Sequence, residues 1–259
     1  MDCKLCGATA LPLFYTQGDR RQYRFYRCPR CRLVVYDTAT GVNQAKYVLS
    51  RVDPAARTRQ NRGHRQTYGF VRRHARPPGR LLDLGCGDGT VLWLARADGW
   101  TVKGVELFPE QARLLRETLD LDVETADIAS YDGPARTYDV VVLRHVLEHL
   151  PDPVGALRTI HELLKPEAVA VLEFPNVDAF DARLRRLLER LGIHRRRYAP
   201  DYVPGHVQEF CRASFARAAG LAGLMLEVWE TYAINPVKYA LFRRVPVGNK
   251  ARVLLRRPR

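Results

Sequence analysis

The sequence predicts an α/β protein: a doubly wound, Rossmann-like sheet of seven strands with a small cysteine-rich unit ahead of it. Short apolar runs recur from Arg80 to Leu255, and the first five are separated by helix-sized stretches. That alternation is the pattern of parallel strands joined by crossover helices. A Gly-x-Gly-x-Gly run, Gly85 to Gly89, follows the first of those strands and opens a helix. Four of the six cysteines fall within the first 31 residues as Cys3-x-x-Cys6 and Cys28-x-x-Cys31.

Taken in order, the N-terminus Met1-Asp2-Cys3-Lys4 has no apolar core, which predicts no secretory signal and a cytoplasmic chain. Each Cys-x-x-Cys knuckle curls its backbone so that two thiolates face one point. Two knuckles complete a tetrahedral S₄ shell, so Cys3, Cys6, Cys28 and Cys31 predict a structural Zn²⁺. A redox pair would need one Cys-x-x-Cys beside a βαβ unit. Gln22–Arg27 has strand chemistry and leads into the second knuckle, and Leu33–Tyr36 leads out, giving a zinc ribbon over 1–40. Residues 41–78 are read as a helical linker or lid, with apolar residues at Tyr47, Tyr68, Phe70 and Val71, ended by Pro77-Pro78-Gly79. The sheet domain then runs from 79 to 259. Its strands are Arg80–Leu84, Thr101–Val105, Asp122–Ala126, Tyr138–Leu143 and Ala168–Phe174, closed by Leu224–Tyr232 and Lys250–Leu255. Helices are expected over Thr90–Ala97, Pro109–Leu119 and the stretch reaching Leu164.

Composition narrows the class. Apolar residues at 46% and charged residues at 27% are ordinary for a folded domain and exclude a disordered or collagen-like chain. No run approaches the eighteen apolar residues of a membrane span. The 42 basic residues against 28 acidic ones leave +14. That excess fits a nucleic acid, an anionic lipid or an acidic substrate. It is carried overwhelmingly by Arg spread along the chain, a skew that by itself names no partner.

The glycine loop lets the backbone approach a ligand, and the helix N-terminus behind it favours a carboxylate or phosphate. Glu106 stands at the end of the next strand, where an acid accepts both hydroxyls of a ribose. To this point NAD and S-adenosylmethionine fit equally. The dinucleotide fingerprint, however, wants a sixth-position glycine where this chain has Thr90.

With Asp83 before the loop, the stretch Leu82-Asp83-Leu84-Gly85-Cys86-Gly87-Asp88-Gly89 resembles that of the class I S-adenosylmethionine-dependent methyltransferases. So do Gly104-Val105-Glu106, Ala126-Asp127-Ile128, Tyr138-Asp139-Val140-Val141, Val146–Pro153, Leu163–Pro166 and Glu173-Phe174-Pro175-Asn176, in order over about 95 residues. Glu167-Ala168 replaces the family's usual Gly-Gly, which touches a turn and not the chemistry. Some bacterial members, certain deoxysugar C-methyltransferases among them, also carry an N-terminal ribbon. The resemblance implies that Asp83 and the Gly85-Cys86-Gly87 backbone hold the methionine end of S-adenosylmethionine. It places Glu106 on the ribose, Leu107 against the adenine, Asp127 and Ile128 at the adenine edge, and the backbone near Leu143 at the methionine ammonium. Asp127 is read as a cofactor contact rather than a helix N-cap, and Cys86 as a small buried residue rather than a nucleophile.

The acceptor side is read from position. His145, Glu148 and His149 follow the fourth strand, and on a helix 145 and 149 would share a face. One of His149, His145 and His206 is expected to act as base, with Glu148 orienting it or helping to hold a metal. Quinone-precursor O-methyltransferases have a similar segment, with a carboxylate in the place of His145 and a divalent ion. Sugar C-methyltransferases place a Tyr-x-Glu-His run near the position of His206; here Gly205 replaces the Glu and Tyr202 is one residue off register. Residues 177–210 are the expected substrate-binding insertion. Its Arg183, Arg185, Arg186, Arg190 and Arg195–Arg197 suit an anionic small-molecule acceptor. The rival readings are an RNA or protein methyltransferase that docks through the ribbon and the arginines, and a catalytically silent cofactor-binding protein.

Overall fold

The computed structural model describes residues 1–43, 53, 55, 59–194, 196–232 and 248–259. The expectations for Tyr47 and Arg195 lie outside them. Near the N-terminus β1 (Leu13–Gln17), β2 (Tyr23–Arg27) and β3 (Val34–Tyr36) form an antiparallel meander. Helix α1 (Arg59–His74) precedes the large sheet. Strands β4 (Arg80–Leu84), β5 (Thr101–Glu106), β6 (Val123–Thr125), β7 (Tyr138–Arg144) and β8 (Leu164–Pro175) are parallel to one another. Between and after them come α2 (Thr90–Ala97), α3 (Pro109–Leu119), α4 (Pro153–Leu163) and α5 (Phe180–Arg190). The short β9 (Gln208–Glu209), α6 (Arg212–Leu221), β10 (Met225–Tyr232) and β11 (Lys250–Arg256) complete the described elements.

The large sheet has the order β10-β11-β8-β7-β4-β5-β6, with β11 antiparallel to both its neighbours. The expected seven-stranded α/β architecture is therefore present. Its central strands are apolar on both faces because helices cover both: Leu81, Leu82 and Leu84 of β4 and Val140–Leu143 of β7 are all buried. The chain leaves β4 toward β5 on one side and later fills β7 on the other. This switch point opens a crevice at the carboxyl ends of β4 and β7. Local signals set the helix starts. Asp152 accepts from the Gly155 N–H at 2.9 Å ahead of Pro153, which caps α4. Glu167, where a glycine was expected, takes φ +66°, the left-handed region a glycine would enter without strain.

The N-terminal unit is larger than a hairpin between two knuckles. β1 was not foreseen, and β9 comes from the far end of the chain to pair antiparallel with β3, Val35 opposite Gln208. Leu5, Leu33 and Val35 share one continuous apolar core with Phe210 and Phe215. The Arg217 Nε also donates to the Leu5 carbonyl at 3.1 Å. No described helix is long and apolar enough to cross a membrane.

Candidate active site

Two cavities meet at the switch-point crevice. The first, of ≈ 570 Å³, is lined by Asp83, the Gly85–Asp88 loop, Glu106–Phe108, Asp127–Ala129, Arg144–Val146 and His149–Pro151. The loop is drawn tightly over the strand ends: a Cβ on Gly85, whose φ is +73°, would stand 2.7 Å from Val146 Cγ2. On Gly87, at φ +55°, a Cβ would meet no protein atom within 4 Å, so the chain leaves open space beside the loop backbone. That is the shape a ligand laid along the loop requires.

Glu106 is buried, and its two oxygens accept the Gly87 N–H at 2.9 Å and the Phe108 N–H at 3.2 Å. It thus ties the glycine loop to the end of β5, and a carboxylate keeps further lone pairs for ribose hydroxyls. Asp83 is 3% exposed, and burial pushes its carboxyl up to about 7, with the Arg144 charge opposing. Burial also pushes the Cys86 thiol up, so it stays protonated and inert. Asp127 lines the cavity yet does cap a turn after all: its Oδ1 accepts from the Ala129 N–H at 2.9 Å, ahead of a 3₁₀ turn over Ile128–Ser130. Leu143 is buried within β7 and does not line the cavity; Arg144 and His145 occupy that rim.

Sequence reasoning missed His64. It enters the cavity from α1 with Nδ1 3.1 Å from Asp88 Oδ1. This contact outweighs the burial that would raise Asp88, whose carboxyl lies below the usual range. Its neighbour Thr67 donates to Glu173 Oε1 at 2.8 Å. Glu173 is a buried hub that also accepts from Arg144 Nε at 2.9 Å, the Tyr232 hydroxyl at 2.6 Å and Arg252. Burial alone would raise its carboxyl, but Arg252 and Arg144 outweigh it and bring it down to about 2. The signal available in sequence was the polar pair His64 and Thr67 on the face of α1 that buries Tyr68 and Val71.

The second cavity, of ≈ 710 Å³, adjoins the first, and His145 and His149 line both. The expected shared helical face does not form. His145 sits at φ +55° before a single 3₁₀ turn, Leu147–His149, because its N–H is held by the Glu173 carbonyl at 2.7 Å. The histidines converge nevertheless. His145 Nδ1 lies 3.3 Å from Glu148 Oε1, and its Nε2 lies 2.8 Å from Lys250 Nζ. Burial pushes the His145 imidazole down, with Glu148 opposing. A neutral ring between a carboxylate and an ammonium has its proton on Nδ1 and its lone pair on Nε2. Burial would raise Glu148, but the His145 hydrogen bond and the surrounding imidazoles hold it below the ordinary range.

His149 Nδ1 is 2.9 Å from the Gly205 carbonyl oxygen. A carbonyl only accepts, so Nδ1 carries a proton, and the neutral form of the ring has its lone pair on Nε2. The His206 ring meets the His149 ring edge-on at 4.9 Å, and burial holds its imidazole down. Lys250 was read only as the start of a closing strand. The signal lay in composition, since it is one of few lysines in a chain that otherwise uses Arg. Of the insertion arginines, Arg185, Arg186 and Arg196 line this cavity, while Arg183 and Arg190 lie elsewhere. Tyr15, Thr16, Gln17 and Phe25 of the N-terminal sheet line it as well.

Away from both cavities, the ligand atoms of Cys3, Cys6, Cys28 and Cys31 lie within 4.8 Å of one another. Cys3 and Cys31 sulfurs are 3.3 Å apart and those of Cys6 and Cys28 3.4 Å. Four thiols at that spacing fit one tetrahedral ion, with sulfurs about 2.3 Å from it.

Known proteins share this fold. The chain is 27% identical over 177 residues to the ubiquinone biosynthesis O-methyltransferase of Xanthomonas campestris, a stretch covering 62% of this chain and 72% of that one. Among solved structures, an S-adenosylmethionine-dependent methyltransferase from Mesorhizobium loti superposes with a TM-score of 0.55 at 17% identity, over 78% of this chain and 99% of that one. The cyclase SpnF superposes with a TM-score of 0.56 at 18% identity, over 85% and 90%. Such distant likeness establishes the fold alone. The family described as a methyltransferase domain matches residues 56–228, about two thirds of the chain. The protein therefore belongs to the class I S-adenosylmethionine-dependent methyltransferases.

Proposed function

We propose that this enzyme methylates a small-molecule acceptor, at oxygen or carbon, seated in the ≈ 710 Å³ cavity. The acceptor class is a specialised metabolite, sugar or nucleotide-sugar. The observation that carries the reading is the shared wall: His145 and His149 border both that cavity and the one at the glycine loop. A group on each side of such a wall can meet at its edge, which is the proximity a transfer needs. The ubiquinone-type relatives, named for a small-molecule pathway, support the same class.

On this reading S-adenosylmethionine fills the glycine-loop cavity and supplies an electrophilic methyl group. Glu106 receives the ribose hydroxyls; Leu107, Asp127 and Ile128 border the adenine. Asp83 and the Gly85–Gly87 backbone hold the methionine end. His149 takes the acceptor proton at Nε2, its tautomer fixed by the Gly205 carbonyl. Glu148 and Lys250 hold His145 in register. Arg185, Arg186 and Arg196 receive an anionic part of the acceptor. The four cysteines hold a structural zinc that fixes the cavity's ribbon wall.

One observation favours a variant of the chemistry. Ligand atoms of Glu148, His149 and His206 lie within 4.8 Å of one another, and one carboxylate with two imidazoles is a set that suits a divalent ion. Such an ion would polarise the acceptor oxygen in place of a base. Inhibition by chelator, reversed by divalent ion while the ribbon zinc stays bound, would select it.

The test is transfer from methyl-labelled S-adenosylmethionine to a panel of phenols, enols and nucleotide-sugars, alongside bulk RNA and protein. Label in a small-molecule product is expected. Label only in macromolecules would overturn the acceptor assignment. With an acceptor in hand, His149→Ala should lower turnover by about 10²–10⁴, the usual loss of a general base, and leave donor affinity nearly intact.

A further inference from the structure

The outer flank of α5 carries a separate concavity of ≈ 290 Å³, between that helix and the N-terminal sheet. Five guanidiniums line it, those of Arg27, Arg32, Arg183, Arg186 and Arg190, and among the described residues Asp178 is the one carboxylate. Arg27 Nη2 donates to both oxygens of Asp178 at 2.9 Å, and Arg32 Nη2 donates to one of them at 2.9 Å. Arg183 stands 3.4 Å away. Arg186 donates to the Val177 carbonyl at 2.8 Å and lies 4.9 Å from the centre of the Phe14 ring. Arg190 donates to the Phe14 carbonyl at 3.3 Å. Four of the guanidiniums, those of Arg27, Arg32, Arg186 and Arg190, are thus hydrogen-bonded to the protein before any ligand arrives.

The charges do not balance. Asp178 is the one carboxylate lining the pocket and Glu209 acts on Arg186 from the acceptor-cavity side, so two carboxylates face five cations and the cluster keeps a net positive charge. Burial already lowers the affinity of Arg186 for its proton. Each guanidinium has five N–H donors in a fixed fork, and few are used here. Arg32 and Arg183 are half-exposed and open to solvent. Pre-placed forks around a small concavity match the tetrahedral oxygens of a phosphate group.

We propose that this pocket is a binding site for a phosphate group, as a phosphate ester or diphosphate. The proposal does not rest on the acceptor assignment. The site lies outside both cavities, although Arg186 borders the acceptor cavity from its other side. Two sources share this chemistry, a soluble phosphate compound and a phospholipid headgroup. The second is worth an arm of the test because Phe180, Leu184, Leu187 and Leu191 form an exposed apolar stripe along α5 beside the arginines.

The test uses the full-length, zinc-loaded chain at low ionic strength. Inorganic pyrophosphate binding is measured by calorimetry. Sedimentation is run with phosphatidylcholine vesicles, with and without phosphatidylglycerol. The variant R183Q/R190Q removes two of the five cations from exposed helix positions. It should weaken whichever probe binds by about tenfold or more, as expected for charged hydrogen bonds lost at a partly exposed site. R158Q, an exposed arginine on α4, should change neither. Pyrophosphate binding lost in the variant assigns a soluble phosphate; binding only to anionic vesicles, lost in the variant, assigns a headgroup. Binding of neither probe, or a loss equal in R158Q, overturns the site. Unchanged S-adenosylmethionine affinity in R183Q/R190Q confirms that the variant is folded.

Discussion

Asp83 should make donor binding depend on pH. It is the penultimate residue of β4, lines the glycine-loop cavity and is 3% exposed. Burial raises its carboxyl to about 7; Arg144 opposes the shift, and Asp88, Glu106 and Glu173 add to it. An ordinary aspartate titrates near about 3.9. At mildly acid pH, then, the empty cavity holds a neutral acid. A donor that brings an ammonium and a sulfonium favours the ionised form, so binding expels a proton. Ionising Asp83 first costs about 1.4 kcal/mol at pH 6 and about 2.7 kcal/mol at pH 5, and almost nothing at pH 8. Donor Kd should therefore be about tenfold weaker at pH 6, and about a hundredfold weaker at pH 5, than at pH 8. Calorimetry in buffers of differing ionisation heat should show release of about one proton near pH 5.5. Asp83→Asn should bind more weakly at pH 8 but lose most of the slope. His145 lines the same cavity, and whatever share it carries survives in that variant. A wild-type profile that is flat, or a slope kept in full by Asp83→Asn, would refute the reasoning.

The same shift acts on stability with a definite sign. The folded pKa lies above the unfolded one, so between about pH 4 and 7 the native empty protein holds a proton that the unfolded chain has released. The contribution is full below about pH 4 and is lost as pH rises through about 7. Donor supplies the missing cation, so its thermal stabilisation should be larger at pH 8 than at pH 6.

Three further outcomes are expected. Protein purified without chelator should carry one tightly held zinc, and Cys28→Ser should chiefly loosen the first forty residues, since the ion ties the two cysteine knuckles together; elemental analysis and limited proteolysis read this. Glu106→Ala should weaken donor binding by about 1.5–3 kcal/mol in a titration, the loss expected for charged hydrogen bonds. Glu167→Gly should raise the melting temperature by about 1–3 °C, because the left-handed backbone at φ +66° suits glycine and the exposed Arg259 contact that is lost contributes little.

Much of the fold was legible because its signals are local. Strand ends at Leu84 and Glu106 and the helix starting at Thr90 follow from apolar runs broken by glycine or acid, and the structure keeps them. That the glycine loop and Glu106 would come together at one cavity was legible for the same reason, since both are read within single βα units. What escaped depends on distant partners. His145 was expected on a helix, but the Glu173 carbonyl on the neighbouring strand takes its N–H and turns it out of helical geometry. Lys250 meets His145 only because β11 inserts between β8 and β10, 105 residues away in sequence. Asp127 was assigned to a ligand, yet its carboxylate also satisfies a backbone N–H two residues on, a use that cap preference alone would have given.

The ribbon is the clearest case of organisation that pairing decides. In sequence it ends near residue 40 and looks detachable, which left docking of RNA or protein as a natural role. In the structure β9 adds to its sheet, so the strand that carries Glu209 hydrogen-bonds to β3, which follows the second knuckle. Val207 N–H in turn donates to the Glu148 carbonyl at 3.0 Å, and Gln208 Nε2 to the Leu150 carbonyl at 2.7 Å. His206, Glu148 and His149 are thereby braced against the ribbon, and Tyr15, Thr16, Gln17 and Phe25 close the same cavity from the other side. A metal whose sheet forms a cavity wall should matter to the acceptor more than to the donor. Partial zinc loss should raise acceptor KM more than donor Kd, because the glycine loop, Glu106 and Asp127 follow β4, β5 and β6 of the large sheet, and the ribbon reaches that cavity through its contacts to Leu150 and Pro151. A docking appendage would give the opposite pattern, with small acceptors turned over normally and only macromolecular ones lost.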